Sequence, residues 1–373
     1  MKVLITGGHF SPAYSVIDEL KKDNHEIVIV GRINPMEGQK SAESLEYQLS
    51  KQLHIPFIEL STGRLQRRIS LHTIPSMIRF LSGVIQSFKI LKQTSPDAVL
   101  TFGGYLALPV ALAAKIKNIP VVTHEQTQGV GLSNKLIAKF SDAFCISFPS
   151  TQKYIKHNNV ILTGNPMRND IYVIKEKIEH EKDLPVIYVT GGSTGSHAIN
   201  SAIYELIGEL IKKYVVIHQT GENNYHDYEK MQHQYANLSE SQKMRYIVTK
   251  YIYPSQIGYI YNSASLVISR AGANTVLELL ALNLPSILIP LPHGQRGEQL
   301  KNAQLLQNLG LSEVVEQREL SPDRLMQKID EMIKNKSKYT VKKDIIKKYV
   351  FNNAALNIVK VISTEYEKKK NNS

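Results

Sequence analysis

Only one cysteine, Cys145, occurs in the 373 residues, so no internal disulfide can form, as suits a reducing compartment. Long apolar runs are also missing. Nowhere do about 18 apolar residues follow one another, and the opening Val3-Leu4-Ile5 is too short for a signal peptide's apolar region. The expectation is a chain that is soluble or lies on a membrane. Several chemical signatures are absent: no G-x-G-x-x-G fingerprint, no P-loop ending in Lys-Ser/Thr, and no Ser–His–Asp order. The twelve histidines are scattered and never fall at metal-ligand spacing. Neither a metal nor a cofactor is expected.

Acidic residues are missing from 61–95, where Arg64, Arg67, Arg68, Arg79, Lys89 and Lys92 all fall. Across the chain 45 Lys+Arg face 33 Asp+Glu, a formal charge of +12 that favours anionic partners: nucleic acid, an acidic membrane or phosphorylated ligands. Phe and Tyr are not interleaved with Lys and Arg in any nucleic-acid-binding motif, so no nucleic-acid partner is expected. An apolar stripe, Met77, Leu81, Val84, Phe88 and Leu91, runs at helical steps beside these cations. It suits either an anionic bilayer or packing on a sheet.

What is present is an alternation of short β-branched runs with amphipathic segments, the pattern of parallel α/β sheets. Strands are predicted at Val3–Ile5, Ile27–Val30, Ala98–Thr101, Val121–His124, Ala143–Ile146 and Val160–Leu162. Helices are predicted near Ala13–Lys22, Ser76–Lys92, Leu106–Lys117 and Leu132–Lys139. After a polar connector the pattern restarts, with strands at Val186–Val189, Val215–His218, Leu266–Ile268 and Ser286–Ile289. Helices there are predicted at Ser196–Lys212, Pro254–Tyr261, Asn274–Leu282 and Glu298–Leu309, and two or three polar ones over Leu325–Tyr366. The fold class is therefore α/β, with two doubly wound Rossmann-like domains over 1–165 and 185–373 facing a central cleft. Residues 166–184 read as a linker, and the last helix can return to the first domain.

In such sheets ligands bind in loops after strands. Four are informative. Thr6-Gly7-Gly8-His9 allows close backbone approach and offers a histidine as a base, or is simply a tight turn. Gly191-Gly192-Ser193-Thr194-Gly195-Ser196 precedes a long helix and forms an anion cradle able to take a diphosphate without a metal. Ser269 to Glu278 repeats the strand, small-residue loop and helix; Glu278 suits a ribose, or serves as a helix-dipole partner. Pro290-Leu291-Pro292-His293 leads to Gln299 and Asn302, two amides on one helix face that suit sugar hydroxyls or solvent.

Taken in order, these loops resemble the MurG family of N-acetylglucosaminyltransferases of peptidoglycan synthesis, in glycosyltransferase family 28. The match includes Thr6-Gly7-Gly8-His9, Ser61-Thr62-Gly63-Arg64, Gly103-Gly104-Tyr105, His124-Glu125-Gln126 and Gly164-Asn165-Pro166-Met167-Arg168. It continues through Gly191-Gly192-Ser193, His218-Gln219-Thr220-Gly221, Ser269 to Ala273, and Gln299 with Lys301-Asn302-Ala303. The resemblance implies a GT-B fold and an inverting, metal-independent transfer of GlcNAc from UDP-GlcNAc to an undecaprenyl-linked acceptor, lipid I, giving lipid II. It implies an acceptor-binding, membrane-facing N-terminal domain and a UDP-sugar-binding C-terminal domain. The enzyme would be peripheral on the cytoplasmic face of the cell membrane, held to the anionic inner-membrane surface through 61–92.

Residue by residue, the resemblance puts Ser193 and Ala273, Asn274, Thr275, Val276 and Leu277 near the diphosphate. It puts Ile252 near the uracil, Glu278 on the ribose, and Gln299 and Asn302 on the sugar. Thr6, Gly7, Gly8 and Arg168 complete the donor site, Thr127 stands at a donor-sugar position, and His9 is the general base. The chain departs from the family at Leu4-Ile5, where glycines are usual, and at Thr127, where Asn is. It departs again over Leu106–Pro109 and at Arg296-Gly297-Glu298. These departures lie near sugar or acceptor and keep a second reading open, another GT-B UDP-sugar transferase with a lipid or polysaccharide acceptor. A UDP-GlcNAc 2-epimerase-like isomerase is the third, although the carboxylates and histidines it needs around the sugar are not found.

Overall fold

The computed structural model describes residues 1–7, 10–34, 43–63, 73–192, 194–292 and 297–372. Among the described residues thirteen strands alternate with helices. In the first half the strands are β1 (Lys2–Thr6), β2 (Glu26–Gly31), β3 (Phe57–Glu59), β4 (Ala98–Thr101), β5 (Val121–Glu125), β6 (Ala143–Ile146) and β7 (Val160–Leu162). They are joined by α1 (Phe10–Lys22), α2 (Leu45–Gln52), α3 (Thr73–Thr94), α4 (Ala107–Ile116) and α5 (Leu132–Ile137). The second series has β8 (Val186–Thr190), β9 (Val215–Gln219), β10 (Tyr246–Thr249), β11 (Ala264–Ser269), β12 (Ser286–Leu288) and β13 (Ser312–Val314). Its helices are α6 (His197–Lys213), α7 (Asp227–Ala236), α8 (Glu240–Lys243), α9 (Pro254–Ser263), α10 (Ala273–Leu282), α11 (Glu298–Asn308), α12 (Pro322–Lys334) and α13 (Lys343–Ile346). The chain closes with α14 (Ala354–Asn371).

Both sheets are parallel and wound alike, in the orders β3-β2-β1-β4-β5-β6-β7 and β10-β9-β8-β11-β12-β13. This is the Rossmann order, with the reversal between β1 and β4 in one sheet and between β8 and β11 in the other. The central strands are apolar without alternation because helices cover both faces. Along β1, Val3 and Ile5 pack under α1 and α14, while Leu4 packs with Ala111 and Ala114 of α4. In the second sheet Val186 and Tyr188 pack with Ile257 and Val276, whereas Ile187 and Val189 pack with Ile203 and Leu325.

The chain divides into two compact units, 1–168 with 351–373, and 169–350. These bounds differ from 1–165 and 185–373 at both ends, for local reasons. Helix α14 buries Ile358, Val359 and Ile362 in the core of α1 and β1, and Glu365 Oε1 accepts from Asn159 Nδ2 at 3.1 Å. Much of the segment read as a linker is anchored to the second unit. Ile171 enters that unit's core, and Glu176 accepts from Ser255 Oγ at 2.7 Å and from Gln256 Nε2 at 3.0 Å.

Candidate active site

The second unit's carboxyl edge is built mainly of backbone. Gly192 and Gly195 have φ of +84° and +71°, and a Cβ on Gly195 would overlap Thr220 O, so only glycine lets these two loops touch. Ser196 caps α6 by accepting from Ile199 N at 3.4 Å. Ser193 lies outside the described residues. At β11 the helical ladder begins with Val276 N–H to Gly272 O at 3.0 Å, which places the amides of Ala273, Asn274 and Thr275 at the helix start. The Val276 and Leu277 side chains are in the core, so any part they take is through the main chain.

Glu278 is only 5 % exposed, and its Oε2 accepts from Tyr261 Oη at 2.9 Å. Ile252 is half-buried between the exposed Tyr251 and Tyr253, after β10. The two amides on α11 are turned toward protein. Gln299 Oε1 accepts from Leu291 N at 3.0 Å, and the fully buried Asn302 donates through Nδ2 to Ala271 O at 3.2 Å. Each thus ties a loop of the edge to the helix. Arg270 is spent in the same way: its guanidinium, whose pKa is lowered by burial, donates to Ile289 O at 3.0 Å and Gln317 Oε1 at 2.7 Å.

The first unit's edge is built of side chains. Thr6 is buried at the end of β1, and its hydroxyl has no hydrogen-bond partner among the described residues. Gly7 donates to Val30 O at 2.6 Å. Gly8 and His9 lie outside the described residues. Against Gly7 stands Glu46, whose Oε1 would be 2.9 Å from a Cβ there. Burial raises its pKa, opposed by backbone hydrogen bonds and by the nearby Arg32. Arg32 follows β2 and hydrogen-bonds Tyr105 Oη after β4, so this bond spans the end of the intervening β1.

Glu125 is saturated. It accepts from Thr127 N at 3.1 Å, Thr127 Oγ1 at 2.8 Å, Gly131 N at 3.0 Å and Asn134 Nδ2 at 3.0 Å. Thr127 is therefore a member of a loop knot. Beside it His124 is fully buried, 3.0 Å from Gly164 O, and burial pushes its pKa down to about 4. It is a neutral structural imidazole. Arg168 is half-buried as the last residue of the first unit's main segment.

Sequence reasoning missed Glu46, Arg32 and Tyr261. Each is an ordinary helix or strand-end residue whose importance comes from what folds against it, and no spacing marks it. Among the described residues no three His, Cys, Asp or Glu cluster to hold a metal ion.

Residues 6–146 match the glycosyltransferase family 28 N-terminal domain, and residues 186–358 match its C-terminal domain. A relative from Clostridium novyi, UDP-N-acetylglucosamine--N-acetylmuramyl-(pentapeptide) pyrophosphoryl-undecaprenol N-acetylglucosamine transferase, is 34% identical, covering 91% of this chain and 92% of its own. The crystal structure of Acinetobacter baumannii MurG superposes with a TM-score of 0.70 at 24% identity, over 97% of this chain and 99% of its own. A Neisseria meningitidis UDP-GlcNAc 2-epimerase bound to UDP-GlcNAc shares the fold at a TM-score of 0.61 and 17% identity, over 98% and 100%.

Proposed function

The chain belongs to glycosyltransferase family 28, and we propose that it moves N-acetylglucosamine from UDP-GlcNAc to the 4-hydroxyl of undecaprenyl-diphospho-muramyl-pentapeptide, converting lipid I to lipid II. One observation carries the donor half of this reading. The two switch-point loops of the second sheet are small-residue helix starts, and a buried carboxylate, Glu278, stands on the helix that one of them opens. Helix N-termini bind phosphate through amides and dipole, and a carboxylate accepts from vicinal ribose hydroxyls. In this assignment Ser193 and the amides of 273–275 hold the diphosphate. Ile252 meets the uracil and Gln299 meets the sugar, while Asn302 acts through the loop it ties down.

The reaction is a displacement at the anomeric carbon with inversion. The acceptor oxygen bonds to C1, the C1–O bond to the diphosphate breaks with its electron pair leaving on UDP, and the hydroxyl proton passes to a base. His9 is assigned that role. It needs no metal where amides and helix dipoles already carry the departing charge.

Peripheral attachment to the cytoplasmic face of the membrane belongs to the same reading. No helix among the described residues is long and apolar enough to cross a membrane. On α3, Met77 (48 %), Ile78 (63 %), Leu81 (58 %) and Ile85 (60 %) are exposed together with Arg79 and Lys89. An exposed apolar face edged by cations suits an anionic bilayer. The expected stripe is divided: Val84 and Phe88 are half-buried, and Leu91 faces the core.

The test is UDP release from UDP-GlcNAc with and without a short-chain lipid I analogue. Acceptor-dependent release with a disaccharide product supports the assignment. UDP binding without release would keep the donor and point to another acceptor, and conversion of the sugar nucleotide without acceptor would favour an isomerase.

A further inference from the structure

A buried glutamate is a poor ligand unless something fixes it, because its side chain has three torsions and its charge seeks water. Glu278 sits at 5 % exposure on α10, and the hydroxyl of Tyr261 on α9 donates to its Oε2 at 2.9 Å. Tyr261 is itself buried, and its ring meets Tyr188 edge to face, with centroids 5.8 Å apart at 80°. Tyr188 lies on β8 and donates through Oη to Gln219 Oε1 at 2.8 Å. Gln219 Nε2 reaches back to Gly192 O at 3.4 Å, and Gly192 N donates to Thr190 Oγ1 at 3.0 Å. One layer of side chains therefore runs from the carboxylate on α10 to the glycine loop after β8.

We propose that Tyr261 is a positioning residue for the donor nucleotide: its phenol holds the Glu278 carboxylate in the orientation that accepts the ribose hydroxyls. The inference rests on the UDP-sugar reading of this edge. A carboxylate has about four acceptor positions, so one hydrogen bond from a phenol orients it without exhausting it. Without that donor the buried charge loses a partner and turns away, and each nucleotide must then reorder it on binding. The contact of Tyr261 with Tyr188 places ribose and diphosphate recognition on the same rigid layer.

The experiment measures Kd by calorimetry for UDP and for 2′,3′-dideoxy-UDP, on the unmodified chain, Tyr261→Phe, Glu278→Ala and the double variant. Tyr261→Phe keeps the ring and removes the hydroxyl. The expected result is roughly 5- to 10-fold weaker UDP binding in Tyr261→Phe, with dideoxy-UDP affinity within about 2-fold of the parent. The double variant should bind UDP no more weakly than Glu278→Ala alone. Equal weakening for both nucleotides would make Tyr261 merely structural and overturn the proposal. So would unchanged UDP binding in Tyr261→Phe while Glu278→Ala weakens UDP and leaves dideoxy-UDP near the parent value. If Glu278→Ala weakens both nucleotides equally or leaves UDP binding unchanged, the ribose assignment falls and takes the proposal with it.

Discussion

The two sheets share one winding order, yet their carboxyl edges are made of different material. In the second unit the edge is main chain: glycines at +84° and +71°, a loop seated on another loop, and side chains such as Asn302 and Arg270 that serve the backbone. In the first unit the edge is side chain: Glu46 against Gly7, the Arg32–Tyr105 bond spanning the end of β1, and Glu125 collecting four donors. Amides ahead of a helix suit an anion that is the same in every turnover. Charged side chains suit proton transfer and selection among acceptors. One topology thus carries two kinds of edge, divided by whether the backbone or the side chains line the loops.

The sharpest way to break that division is His9→Ala. Turnover is expected to fall about 10²- to 10⁴-fold with UDP-GlcNAc affinity unchanged, since a general base acts on the acceptor. UDP release at saturating substrates checks this, and undiminished turnover would remove His9 from the mechanism. Next comes a pair of glycines. In Gly195→Ala the new Cβ meets the backbone carbonyl of Thr220, and φ is +71°, so about 3 kcal/mol of stability should be lost together with UDP binding. In Gly103→Ala the φ is +81°, but the Cβ comes no nearer than 3.0 Å to the Asn134 side chain, which three hydrogen bonds hold, so the loss should be smaller, about 2 kcal/mol. Urea denaturation of the two variants measures the difference, and equal losses would contradict the main-chain account.

Acid should treat the units alike, because each hides a neutral histidine. Burial lowers His124 to about 4 and His218 to about 3, both below the ordinary 6.5. The unfolded chain therefore takes up these protons first. Stability from this source is full above about pH 6.5 and is lost as the pH falls toward the folded values. At pH 5 the loss is about 2 kcal/mol for each histidine. His218→Gln should flatten the fall between pH 6.5 and 5, and an unchanged slope would argue against a neutral buried imidazole there. The smallest effect expected is for Leu81→Glu or Ile85→Glu. Sedimentation with anionic vesicles should weaken severalfold while turnover on a water-soluble acceptor stays constant, and unaltered sedimentation would clear α3 of a membrane role.

Much of this architecture was legible in the sequence. Central strands such as Val3–Ile5 and Val186–Val189 are buried on both faces, so their residues are apolar without interruption and mark themselves. The loops after them are marked as tight turns into helices by glycine and helix-capping residues. The three strands that went unread, Phe57–Glu59, Tyr246–Thr249 and Ser312–Val314, all lie at sheet edges. An edge strand has one neighbour and less burial, and three or four residues carry no period. The polar helices Leu45–Gln52 and Asp227–Ala236 were missed for a related reason: their apolar faces are narrow.

Local sequence thus determined the α/β class, the double winding and the glycine-rich turns at the strand ends, because burial and turn chemistry act between near neighbours. Tertiary structure alone decided how α14 seats Ile358, Val359 and Ile362, which face of α3 stays exposed, and that Tyr261 holds Glu278 from 17 positions away. Those outcomes depend on which distant surfaces meet, and chain spacing does not encode that meeting.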